Sequence, residues 1–127
     1  MGVVVAAAIR RDGRLLVAQR SGPTELAGKW ELPGGKVEAG ESEDEALVRE
    51  CREELGVDLA IEDRIGPDVA IDADWVLRVY AARILEGEPK PLEHLDLCWV
   101  DVDELPALDW LPGNALLFPD LRKLLAD

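Results

Sequence analysis

The sequence predicts an α/β domain, and three observations predict it. Apolar runs, the first of them β-branched at its start, recur between turn signals and read as strands. Two other stretches carry apolar residues at helical spacing, one opened by Ser42 and one by Asn114. A chain of 127 residues without repeat, linker or low-complexity tract is sized for one core, so residues 1–127 are expected to form a single domain.

The elements follow in order. Residues 3–9 form an apolar run, a charged turn follows at 10–14, and residues 15–18 are apolar again, which reads as strand, tight turn, strand. Gly22, Pro23 and Gly28 mark a loop over 21–29, after which Trp30, Glu31 and Leu32 make a short extended piece. Pro33, Gly34 and Gly35 open a turn-rich segment running to Gly40. Ser42 and Glu45 have the spacing of a capping box, so a helix begins there, and Gly56 suits the left-handed residue that closes it after Leu55. Residues 57–61, 74–85 and 95–102 read as further strands, with Gly87-Glu88-Pro89 ending the longest. A final helix is expected from Asn114 to about Leu125, with Leu117, Leu121, Leu124 and Leu125 inward.

Composition narrows the function. An apolar share of 48% is too high for disorder. The formal charge of -13, from 27 acidic and 14 basic residues, repels polymeric nucleic acid. A small phosphate ester remains open, because bound divalent cations can neutralise it locally. Cys51 and Cys98 lie in apolar patterns without metal or disulfide spacing and read as reduced core cysteines. The first apolar run lacks a basic flank and is too short for a bilayer, so no membrane partner is expected and the cytoplasm is the default location.

The chemistry concentrates on the first helix. At about 100° per residue, Leu47, Val48, Cys51 and Leu55 form one stripe while Glu50, Glu53 and Glu54 crowd another arc. Glu50 and Glu54 are a like-charged i,i+4 pair, which costs an isolated helix a few tenths of a kcal/mol, roughly, and invites a cation. Hard oxygen donors suit Mg²⁺. Taken alone, the helix reads first as an ordinary solvated acidic face with a Glu45–Arg49 pair.

The flanking residues decide between these readings. From Gly35 there are five residues to Glu41, seven more to Arg49-Glu50, then Cys51 and Arg52, Glu53-Glu54, Leu55, Gly56 and Val57. This resembles the Nudix box, residues 35–57, at every fixed position, with Cys51 and Val57 in its apolar slots. The resemblance is to MutT-like Nudix hydrolases and runs through most of the chain. It implies the Nudix fold, an α/β/α sandwich with a mixed sheet and a loop-helix-loop motif. It further implies a Mg²⁺-dependent enzyme, with Mn²⁺ as substitute, whose metal is held by Gly35, Glu50, Glu53, Glu54 and Glu93. Glu50 or Glu93 is then the general base, and Arg49 orients the glutamates.

The same resemblance places Arg20 and Lys36 as phosphate contacts, Arg20 being able to grip phosphate bidentately. His94, beside Glu93, reads as an exposed loop histidine without a role. Trp30, Trp75, Trp99 and Trp110 read as packing rather than stacking residues. Leu32 departs from MutT, where an aromatic precedes the Pro-Gly-Gly turn. Asn114 is either a helix cap or a base-recognition residue. Relatives that remove 8-oxo-dGTP carry asparagine here, whereas actinobacterial relatives that favour cytidine triphosphates carry aspartate but are similar across Glu25 to Trp30 and Leu95 to Pro112. The reading is a pyrophosphohydrolase of nucleoside triphosphates, with 8-oxo-dGTP first and (d)CTP or 5-methyl-dCTP as the alternative. A hydrolase of another nucleoside diphosphate derivative and a silent nucleotide sensor are the remaining alternatives. The partner is a small nucleotide, and the protein is a monomer or homodimer.

Overall fold

The computed structural model describes residues 2–126. Seven strands and two α-helices follow one another as β1 (Gly2–Arg11), β2 (Arg14–Gln19), β3 (Trp30–Glu31), β4 (Gly34–Lys36), α1 (Glu43–Leu55), β5 (Asp58–Ala70), β6 (Trp75–Glu86), β7 (Asp96–Val100) and α2 (Phe118–Ala126). The sheet is mixed. β1 runs parallel to β6 from Gly2 to Ile9 and antiparallel to β4, while β5 pairs antiparallel with β6. β2 continues the hairpin from β1 and pairs antiparallel with β3 and β7. Asp12 and Gly13 make the hairpin turn, both with positive φ, which matches the twist of the strands they join.

β1 explains the layering. Its residues Val5 to Ile9 are buried on both faces, as a central strand with helices on either side must be. Val5, Ala7 and Ile9 meet Leu47, Cys51 and Leu55 of α1. Ala6 and Ala8 face the other way, into a second core with Leu117, Leu121 and Leu124. Each large side chain buried in these cores contributes about 1.5–3 kcal/mol. The result is the expected α/β/α sandwich.

Three expectations need correction. The Gly34-Gly35 turn is strand β4, with Val5 opposite Gly35 and Ala6 opposite Gly34. A Cβ on Gly34 would overlap the Val5 carbonyl, so glycine is what lets this backbone pair so closely. The strand expected over 57–61 extends to Ala70, because register shifts carry its charged middle and Pro67 along the sheet edge. The last helix starts later. Asn114–Leu117 is a 3₁₀ turn and α2 begins at Phe118.

The helix expected at Ser42 is present with its cap. Ser42 Oγ accepts from Glu45 N at 3.1 Å, Glu45 accepts from Ser42 N at 2.8 Å, and Gly56 closes the helix at φ 71°. Both cysteines are free. No helix among the described residues is long and apolar enough to cross a membrane.

Candidate active site

One flank of α1 packs on β4, β3 brings Glu31 alongside, and the β6–β7 loop closes the third side. That loop is stitched down by Lys90 N to Leu55 O at 3.0 Å, Leu92 N to Glu54 O at 3.1 Å and Leu95 N to Gln19 O at 2.9 Å. Between these elements lies a polar cleft of about 390 Å³, lined by Arg20, Glu31, Glu50, Glu54, Glu93 and His94 among others. It shares Arg20, Glu31 and Gly34 with a larger cleft of about 610 Å³, whose wall includes Leu26, Leu32, Val69, Leu77, Leu111 and Asn114. A charged chamber thus opens into an apolar one.

Glu54 lies at the centre of the charge. It faces the interior, with Ala46, Leu47, Cys51 and Leu55 the other buried residues of α1, while Val48 is only partly covered. Burial, then the neighbouring Glu50 carboxylate, holds its carboxyl well above the usual carboxylate range. Its Oε2 is buried without a hydrogen-bond partner. Gly35 lies against Glu50, and a Cβ there would overlap the Glu50 carboxylate. Crowded oxygens, an orphaned buried oxygen and a backbone free to approach are what a divalent cation with hard ligands requires.

The three box glutamates do not converge equally. Among the described residues no three His, Cys, Asp or Glu side chains already form a metal-ligating cluster. Glu50 and Glu54 flank the cleft, but the Glu53 side chain is 53% exposed and engaged, at 3.4 Å, by Arg49.

Arg49 does not pair with Glu45, whose carboxylate is spent on the cap. It donates to Glu41 from Nε at 2.6 Å and from Nη2 at 3.0 Å, to Glu50 at 2.9 Å and to the Lys36 carbonyl at 3.2 Å. These bonds, chiefly the one from Arg49, hold Glu41 down at about 2. Glu41 therefore anchors the arginine that braces Glu50. Its position in the box pattern was the only sign of this.

Arg20 reaches the polar cleft from the end of β2, donating to Glu31 at 3.0 Å and to the Gly22 carbonyl at 3.0 Å. Lys36 lines the apolar cleft with its ammonium 4.6 Å from the Trp75 ring centre. Glu93 is exposed at the mouth of the polar cleft, its carbonyl accepting from Ser21 Oγ at 3.0 Å. Asn114 is buried in the apolar cleft; the cap position of the 3₁₀ turn is held by Gly113, and no side-chain cap bond is made there, so the helix-cap reading fails. No tryptophan lines that cleft. Trp110 instead packs edge-on to Phe118 and donates to the Leu105 carbonyl at 2.6 Å.

His94 is the clear miss. Rather than an exposed loop side chain, it is 7% exposed, with Nε2 3.0 Å from Glu31 Oε2 and 3.7 Å from Glu54 Oε1. Glu31 was likewise unassigned. Only the fold brings β3, α1 and the β6–β7 loop together, so no local sequence signal marks either residue.

Comparison with known proteins agrees with this geometry. The chain matches the NUDIX domain over residues 1–121. It is 51% identical, over 97% of its length and 89% of the relative's, to a Mycobacterium tuberculosis protein provisionally named 8-oxo-dGTP diphosphatase 2. It is 39% identical to the CTP pyrophosphohydrolase of Escherichia coli, over 97% of this chain and 93% of that one. Among solved structures, a MutT NUDIX hydrolase from Burkholderia pseudomallei superposes with a TM-score of 0.78 at 38% identity, covering 94% of this chain and 96% of that one.

Proposed function

The chain belongs to the NUDIX family as a MutT-like hydrolase of pyrophosphate bonds in nucleotides, and from that premise we propose that it cleaves nucleoside triphosphates to monophosphate and pyrophosphate, 8-oxo-dGTP foremost. The observation that carries this reading is the pair of joined clefts, a carboxylate chamber opening into an apolar pocket with a free amide in its wall. Residues 1–127 act as one domain.

Each residue has a part in this reading. Bound at Glu50, Glu53, Glu54, Glu93 and the Gly35 carbonyl, Mg²⁺, or Mn²⁺ in its place, would polarise phosphoryl oxygens and acidify a bound water. Glu50 or Glu93 takes the proton of the attacking water as general base. Arg49, tied to Glu41, keeps Glu50 aimed at the cleft. Arg20 receives phosphate oxygens in the polar cleft, and Lys36 would meet them by leaving the Trp75 ring, so charge released with pyrophosphate meets positive groups. The apolar wall of Leu32, Leu77 and Val69 holds the base by shape and excludes water. Asn114 reads its edge: the amide oxygen accepts from the N7–H that oxidation creates and the amide nitrogen donates to O6, whereas the N7 of normal guanine only accepts.

The similarity to a CTP pyrophosphohydrolase favours a second reading, since an asparagine amide also pairs with cytosine N4 and N3. In both readings the acidic surface keeps polymeric nucleic acid away and the substrate is a small nucleotide. A panel of 8-oxo-dGTP, dGTP, dCTP and 5-methyl-dCTP with Mg²⁺, scored for pyrophosphate against phosphate release, tests them. The first reading requires pyrophosphate and a kcat/KM for 8-oxo-dGTP above that for dGTP by about tenfold or more. A dCTP or 5-methyl-dCTP optimum installs the second.

A further inference from the structure

Arg20 does not enter the polar cleft on its own; it is the first member of a chain of contacts. Its Nη1 donates to Glu31 Oε1 at 3.0 Å, and the other oxygen of Glu31 meets His94 Nε2, also at 3.0 Å. The Glu31 side chain is 18% exposed and that of His94 7%. A carboxylate accepts and does not donate, so Nε2 carries the hydrogen of this bond. His94 Nδ1 is buried with no partner, so the bond from Nε2 to Glu31 is the one that ties the ring down. The backbone on either side is clamped, Ser21 Oγ to the Glu93 carbonyl at 3.0 Å and Leu95 N to the Gln19 carbonyl at 2.9 Å.

We propose that His94 is a positioning residue for phosphate binding: its Nε2–H fixes Glu31, and Glu31 in turn fixes the guanidinium of Arg20 at the cleft. His94 and Arg20 share no bond, so any coupling between them passes through Glu31. A guanidinium held in one orientation loses less freedom when it grips phosphate than a loose one. The inference rests on reading the cleft as a nucleoside triphosphate site.

Titration calorimetry with α,β-imido-dGTP and Mg²⁺ separates the two. His94→Leu should weaken binding about tenfold, the size of one hydrogen bond to a charged group. His94→Gln, whose amide donor reaches the position of Nε2, should stay within about twofold of wild type. In an Arg20→Met background His94→Leu should cost nothing further, because nothing remains to position. If His94→Leu does not fold, His94→Asn, whose donor stops short of Glu31, replaces it. Undiminished affinity in His94→Leu, or in His94→Asn where that replaces it, or the same loss with Arg20 already removed, overturns the proposal. Wild-type protein that neither binds the analogue nor releases pyrophosphate from any triphosphate instead overturns the nucleotide reading, and the positioning role with it.

Discussion

Glu53 and Asn114 illustrate how much a single side chain is asked to do here. Glu53 sits on the outer flank of α1, so losing its charge disturbs little packing but removes a proposed metal ligand. Glu53→Gln is expected to lower kcat by about a hundredfold with unchanged circular dichroism. Near wild-type turnover at saturating Mg²⁺ would remove Glu53 from the site. The matched control is Asp44→Asn, exposed on the same helix and at none of the fixed positions of the box. Asn114 lies at the other end of the substrate. Aspartate cannot donate to O6, so Asn114→Asp should reduce the preference for 8-oxo-dGTP over dGTP about tenfold, measured as a ratio of kcat/KM. An unaltered ratio means the amide does not read the base.

At the scale of the element, α1 is tied to the sheet as firmly as it is capped. Glu43 in its first turn accepts from Arg78 at 2.6 Å and from the Tyr80 hydroxyl at 2.7 Å, both on β6. Burial opposes its ionisation, but the bonds from Tyr80 and Arg78 outweigh it and keep the carboxyl below the usual range. Glu43, which fills no fixed position of the box, is a strut. Glu43→Gln should cost about 1 kcal/mol in urea unfolding, with little change in kcat. At the other end of α1, burial and the Glu50 charge oppose ionisation of Glu54, and a bound cation would relieve both. Millimolar Mg²⁺ should therefore raise Tm, and excess EDTA should reverse the shift and abolish turnover. Ca²⁺ should give the thermal shift with little activity, its looser coordination positioning water poorly. A Tm indifferent to divalent ions would mean that this carboxylate pair holds none.

For the molecule as a whole, acid stability should depend on how the box is braced. The bond from Arg49 lowers Glu41 from 4.5 to about 2 in the folded state. A depressed carboxyl stabilises the fold above its unfolded value, and that contribution disappears as pH falls through the folded value. Between pH 4.5 and about 2 the wild type should therefore lose Tm more steeply than Glu41→Gln, which has nothing there to titrate. Parallel curves would show that the Glu41–Arg49 bond is not formed in solution. The wild-type loss is also expected to release Arg49 from the site, since Glu41 is its closest partner.

What the residues alone determined is local in character. The capping box and Gly56 set the limits of α1, the helical repeat of Leu47, Cys51 and Leu55 set its core face, and the spacing from Gly35 to Val57 marked the carboxylates. All of these depend on neighbours within a turn or on a linear pattern. β4 was not legible, because Gly34 and Gly35 carry turn chemistry and become a strand only when β1 offers an edge that a Cβ would block. The length of β5 was hidden for a related reason: β6 supplies the pairing that its charged and proline residues do not advertise. The burial of Glu54 and the Arg20–Glu31–His94 chain join residues far apart in sequence. Desolvation, orphaned atoms and shared hydrogen bonds exist only once β2, β3, α1 and the β6–β7 loop are packed, so tertiary structure alone decided them.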